Sequence, residues 1–208
     1  MGRGLLLVIS GPGGAGKGTI CSALTKKRSD IYFSVSATSR APRADDIEGQ
    51  TYFFKSVKEF EEMIKNGELL EWVEFCGNYY GTPKQNIEEK LQSGMHVLLD
   101  FETKGAFKFK ENFPDSVLIF IIPPNYQALI DRFHKRGVDS EERIRERLLD
   151  GLDQLQKVDK YDYIVVNDEV EKAVKRVEAI IEAEQNRPFR HKDEINKYVN
   201  SIKEAGIL

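Results

Sequence analysis

Apolar residues in this chain come in short unbroken runs separated by longer stretches of helical spacing. Leu5 to Ile9 is continuously apolar and stops at Ser10-Gly11-Pro12, the pattern of a central strand buried on both faces. His96-Val97-Leu98-Leu99-Asp100 and Val117 to Ile122 repeat it, and Tyr163 to Val166 is a shorter final strand. Between them lie helices. Thr19 to Lys27 is one; Val57, Phe60, Met63 and Ile64 mark a second, which Asn66-Gly67 stops. Ile87 and Leu91 mark a helix over Pro83 to Ser93, with the proline in its first turn. Tyr126, Leu129, Ile130 and Phe133 define another, closed by Gly137, and a strongly charged helix runs from Ser140 to about Asp159. Val170 to Glu184 is helical too. Buried strands alternating with helices predict an α/β fold whose mostly parallel sheet is covered on both faces, a three-layer α/β/α core. The aromatic-rich section from about Tyr32 to Tyr80 breaks the alternation and reads as an inserted lobe. Ile195, Tyr198 and Ile202 give a short amphipathic helix after Arg187-Pro188, expected to pack on the domain, with partner binding or dimerisation as the alternative.

Length and charge narrow the picture. At 208 residues one core with insertions is expected, and 40% apolar against 31% charged residues excludes general disorder. The net charge of -3 argues against general nucleic-acid or membrane-surface binding. Cys21 and Cys76 have no metal-ligand spacing, and the apolar run after Gly4 is too short for a signal-peptide core or a membrane span. A cytoplasmic protein with reduced thiols is expected.

Candidate chemistry starts at Gly11-Pro12-Gly13-Gly14-Ala15-Gly16-Lys17-Gly18-Thr19, which carries the spacing of a phosphate-binding loop between strand and helix. Glycines let successive N–H groups turn inward on phosphates, the following helix adds its positive end, and Lys17 adds a full charge. Gly18 stands where a Ser or Thr hydroxyl usually meets magnesium, so Thr19 or water must serve. Asp100, ending a strand, is a candidate second contact to Mg2+ or a simple strand-end cap. Arg132, Arg136, Arg143, Arg145 and Arg147 crowd around Gly137. Arg143 and Arg145 could equally pair with Glu141, Glu142 and Glu146 on a solvated helix.

Several separated motifs then follow in order: Ser34-Val35-Ser36-Ala37-Thr38-Ser39-Arg40-Ala41-Pro42-Arg43, Glu48-Gly49-Gln50-Thr51-Tyr52-Phe53-Phe54, Glu71-Trp72, and Gly77-Asn78-Tyr79-Tyr80-Gly81-Thr82. With the loop, they resemble the guanylate kinase family from about Leu5 to Glu184. The resemblance implies a P-loop core at 3–32 and 95–186, a GMP-binding lobe at about 33–82 and a small helical lid at about 134–150, within a domain over 3–186; a helical extension fills 187–208. It implies transfer of the γ-phosphoryl group of ATP to GMP, and to dGMP, with Mg2+. Its catalytic residues would be Lys17, Arg132, Arg136 and Arg147; ATP would meet residues 11–19 and Asn167. GMP would be held by Ser36, Arg40, Arg43, Tyr52, Glu71, Tyr80, Thr82 and Glu102, in keeping with chemistry: a carboxylate can accept the adjacent N1–H and N2–H donors of guanine, and guanidinium forks match phosphate. The family's usual Asp, apolar, Asp, any, Gln, Gly motif reads Asp100-Phe101-Glu102-Thr103-Lys104-Gly105 here, so Glu102 and Lys104 depart from it. No nucleic-acid or membrane partner is expected, and monomer or homodimer stays open. Another nucleoside monophosphate kinase, a ribosyl bisphosphate kinase, or a non-catalytic phosphoprotein-binding scaffold of the same family are the alternatives.

Overall fold

The computed structural model describes residues 2–43, 46–75, 77–85, 87–136 and 140–205. Its strands are β1 (Leu6–Ser10), β2 (Ile31–Phe33), β3 (Ala37–Thr38), β4 (Phe53–Phe54), β5 (Leu69–Phe75), β6 (Asn78–Pro83), β7 (His96–Asp100), β8 (Val117–Ile122) and β9 (Tyr163–Val166). The helices are α1 (Lys17–Lys27), α2 (Val57–Lys65), α3 (Ile87–Gln92), α4 (Thr103–Asn112), α5 (Tyr126–Arg136), α6 (Glu141–Leu155), α7 (Val170–Gln185) and α8 (Lys192–Glu204).

The larger sheet has the order β2-β7-β1-β8-β9, with every neighbouring pair parallel. Alternation along its strands divides the core in two. Leu7 and Ile9 of β1, Leu98 of β7 and Ile119 and Ile121 of β8 face Ile20 and Leu24 of α1 and Val177 and Ile181 of α7. Val8, Val97, Leu99 and Leu118 point the other way, onto Ile87 and Leu91 of α3 and Ala106 and Phe109 of α4. Both faces are covered, so the strands are apolar throughout, as the unbroken runs required. The strand ends of β1 and β7 lie side by side, Ile9 opposite Asp100, which brings the phosphate loop and the acidic strand end together.

A second sheet, β4-β3-β6-β5, is mostly antiparallel. Helix α2 covers it through the fully buried Phe60, which joins Ala37 and Leu69 and stacks on Tyr79 at 5.3 Å. A capping box between Ser56 and Glu59 starts α2. Helices α5 and α6 are joined by a small cluster of Leu129, Phe133 and Ile144.

Three expectations need correction. Pro83 ends β6, opposite Leu69, and does not open a helix; α3 begins only at Ile87. Helix α4 was not foreseen, because Phe107-Lys108-Phe109-Lys110 alternates like a strand while the buried Ala106 and Phe109 are spaced like a helix. Helix α8 forms but does not pack on the domain. None of its residues is buried, and Ile195 (47%), Val199 (38%) and Tyr198 (70%) stay exposed.

Candidate active site

The site is built on the ends of β1 and β7. After β1 the chain turns through the glycine-rich loop and enters α1 at Lys17. Gly16 takes φ 92°, and a Cβ there would come within 2.3 Å of Asn167 Nδ2, so only glycine fits between the loop and β9. No side chain caps α1, and no acidic residue occupies its first turn, which leaves its N–H groups directed at an incoming anion. Lys17 Nζ donates to the Gly11 carbonyl at 2.6 Å and so spans the loop.

Three residues flank the loop. Arg132 on α5 donates to the carbonyls of Ala15 (3.0 Å) and Asn167 (2.8 Å). Asn167, just beyond β9, donates through Nδ2 to Ala15 O at 2.8 Å; its buried Oδ1 has no hydrogen-bond partner among the described residues. Arg147 on α6 reaches within 3.5 Å of a Cβ placed on Gly13, with its guanidinium 5.7 Å from the Phe133 ring centre. Arg136 closes α5, and its side chain lies outside the described residues, as does Gly137. Arg143 is exposed and 4.0 Å from Glu146; Arg145 is exposed as well.

Asp100 is exposed at the end of β7 yet sits deep among protein atoms. That crowding pushes its carboxyl up to about 6, with Lys17 opposing the rise and Glu102 adding to it. Thr19 and Glu102 are exposed. Among the described residues no group of three or more His, Cys, Asp or Glu side chains could cage a metal. One carboxylate and one hydroxyl facing solvent form the sparse oxygen set that suits a magnesium ion held mainly by phosphate and water.

The second sheet gathers the other candidates. Glu71 on β5 is 9% exposed, Thr82 on β6 is fully buried, and Thr82 Oγ1 donates to Glu71 Oε1 at 2.8 Å. Burial raises the Glu71 carboxyl above the usual range, and the Thr82 bond and nearby Lys108 oppose that rise. Arg40 packs 5.5 Å from the Tyr52 ring centre and 5.7 Å from that of Phe54, while Tyr52 and Tyr80 meet edge to face at 6.0 Å. Ser36 is half-buried and Arg43 exposed. The sequence reading missed Asp46, which accepts Arg40 Nη2 at 2.8 Å and the Arg43 backbone N–H at 2.7 Å. Its only signal was an acidic pair inside a polar loop, and nothing in spacing marked it. Burial, Tyr80 and Asp100 raise the Tyr52 hydroxyl, and Arg40 opposes them, so the aromatic group lies within electrostatic range of the β7 strand end. The polar residues therefore form two groups, one around the loop and one around Glu71 and Arg40, with Tyr52 of the second under the electrostatic influence of Asp100.

Comparison with known proteins agrees with this geometry. The family model described as guanylate kinase matches residues 3–184. The chain is 49% identical to a guanylate kinase of Caldanaerobacter subterraneus over 191 residues, 92% of this chain and 93% of the relative. It is 50% identical to one of Halalkalibacterium halodurans over 182 residues, 88% of this chain and 89% of the relative. Among solved structures it is similar to guanylate kinase from Anaplasma phagocytophilum, with a TM-score of 0.75 and 34% identity across 91% of this chain and 90% of that one. With a family match over residues 3–184 and relatives about half identical across most of their length, the chain belongs to the guanylate kinase family.

Proposed function

We propose that this protein transfers the γ-phosphoryl group of ATP to GMP, giving ADP and GDP, and to dGMP, giving ADP and dGDP. A phosphate oxygen of GMP bonds to the γ-phosphorus, the bond from that phosphorus to the β–γ bridging oxygen breaks, and ADP leaves with the electron pair. The observation that carries this reading is the buried Glu71–Thr82 pair on the second sheet, found together with an intact glycine-rich loop at the start of α1. A carboxylate held ready by Thr82 can accept both N1–H and N2–H of guanine, with Ser36 and Glu102 beside the base. Arg40, Arg43, Tyr52 and Tyr80 bind the monophosphate, and the Asp46 contact to Arg40 orients its guanidinium.

On the donor side, residues 11–19 cradle the triphosphate and Asn167 accepts from the adenine amino group through its unpartnered oxygen. Lys17, Arg132, Arg136 and Arg147 neutralise charge that builds on the moving phosphoryl group. Thr19 and Asp100 would hold Mg2+, directly or through water; the bound ion supplies charge neutralisation on the β- and γ-phosphate oxygens. The lobe at about 33–82 and the lid at about 134–150 close on the core at 3–32 and 95–186 to exclude water. Among the described residues no helix is long and apolar enough to cross a membrane, and the free, buried Cys21 suits a reducing cytoplasm. The relatives named above are guanylate kinases, and no observation favours a scaffolding role or another acceptor. Product analysis tests the proposal: ADP and GDP should form in equal amounts, and ADP release without GDP would contradict it.

A further inference from the structure

Four polar side chains outside the substrate-facing set, three buried and Tyr161 half-buried, form a hydrogen-bonded chain where α6 meets the core. Ser10 ends β1 just before the phosphate loop, Thr103 opens α4 just after Glu102, and Gln154 lies at the inner end of α6; their exposures are 0%, 5% and 4%. Tyr161 joins them, its ring packed 4.8 Å from that of Phe120 and 5.2 Å from that of Phe107. The Tyr161 hydroxyl lies 2.9 Å from Ser10 Oγ and 3.3 Å from Thr103 Oγ1. Thr103 Oγ1 donates to Gln154 Oε1 at 3.1 Å, and Gln154 Nε2 donates to Asp150 at 2.7 Å. The Tyr161 hydroxyl has one proton to give, to Ser10 Oγ at the shorter distance or to Thr103 Oγ1, while Thr103 donates to Gln154 and Gln154 to Asp150. Such a chain holds its members in register, because a shift that breaks one contact strands a buried polar group.

The chain fixes one face of α6. Arg147, Gly151 and Gln154 stand at i, i+4 and i+7, a single stripe. Gly151 lies against the phosphate loop so closely that a Cβ there would come 3.2 Å from Pro12 Cβ. The inner end of α6 thus lies against the loop at Pro12 and is bonded to the start of α4 at Thr103. Arg147 lies about 10 Å further along the same rigid helix. A tilt of about 5° at Gln154 would displace Arg147 by about 1 Å, and misplacement on that scale can cost about 100-fold in rate.

We propose that Gln154, Thr103, Tyr161 and Ser10 form a positioning chain that sets the register of α6, and through it the placement of Arg147 against the transferring phosphoryl group. The inference rests on the reading of Arg147 given above. Thr103→Val keeps shape and removes the hydroxyl; Tyr161→Phe keeps the ring and does the same. Each should lower kcat about 10- to 100-fold, with the KM values for ATP and GMP changing less than about threefold. Thr103→Ser, which keeps the hydroxyl, should recover most of kcat. In an Arg147→Ala background the loss from Thr103→Val should largely vanish, because both changes act on one group. Full kcat in Thr103→Val and Tyr161→Phe, or losses that multiply with Arg147→Ala, would overturn the proposal. Should Thr103→Val fail to fold, Tyr161→Phe carries the same expectation and the same cycle. The two failures are distinguishable: full kcat in Arg147→Ala removes the reading of Arg147 itself, whereas a slow Arg147→Ala beside a normal Tyr161→Phe removes only the positioning chain.

Discussion

Replacing Glu71 by Gln separates recognition from stability more cleanly than any other change at this site. The carboxylate is buried, its pKa is raised, and among the described residues it accepts a hydrogen bond from Thr82 at 2.8 Å. A glutamine can keep that bond through Oε1. It cannot offer guanine two acceptors, since its other terminal atom is a donor and faces a donor. The loss is a charge-assisted hydrogen bond, about 1.5–3 kcal/mol, or about 10- to 160-fold in the KM for GMP. Stability should move the other way. A carboxyl whose folded pKa is raised binds more protons folded than unfolded, so its ionisation costs stability as pH rises above its unfolded value. Glu71→Gln removes that cost, so the variant should melt at or above the wild-type temperature at pH 7, and the difference should shrink toward acid pH. Each kcal/mol is worth about 2–4 °C for a chain of this size. A coupled ADP-release assay gives the KM, and thermal unfolding at two pH values gives the stability. An unchanged KM would remove Glu71 from the base site, and a variant that melts far below wild type would refute the account of its burial.

Other perturbations address the donor side and the C-terminal helix. Lys17→Ala should abolish turnover with little change in melting temperature, as measured by the same assay and by calorimetry; a near-normal rate would contradict its role. Because the Asp100 carboxyl is raised to about 6, wild-type activity at limiting magnesium should fall as pH drops through that value. Asp100→Asn should be slow and show no such step, and an unaltered profile would take Asp100 out of metal binding. Deleting residues 192–208 should leave the melting temperature and kcat almost unchanged, since no residue of α8 is buried; a loss of several degrees would show that α8 supports the domain.

The sequence carried the central sheet because β1, β7 and β8 are buried on both faces and could only be written as unbroken apolar runs. The loop was equally legible, since its function needs glycine where φ is positive and where Asn167 presses on Gly16. Helix α4 was hidden because its buried positions are few and lysines fall between its phenylalanines. Packing of α8 was misjudged for the opposite reason: an apolar stripe states what a helix can bury and does not say whether a surface receives it. Asp46, Tyr161 and Gln154 were invisible because their partners lie on other elements or in irregular loops, where no periodicity exists to read.

The central claim is that a carboxylate in the second sheet selects guanine for the phosphate loop. Steady-state turnover with ATP and Mg2+ against GMP, IMP, AMP, CMP and UMP measures this directly. IMP keeps N1–H and lacks the N2 amino group, so it should serve poorly, GMP should be preferred by orders of magnitude in kcat/KM, and AMP, CMP and UMP should give almost no product. Comparable kcat/KM for AMP and GMP, or for IMP and GMP, would contradict the account.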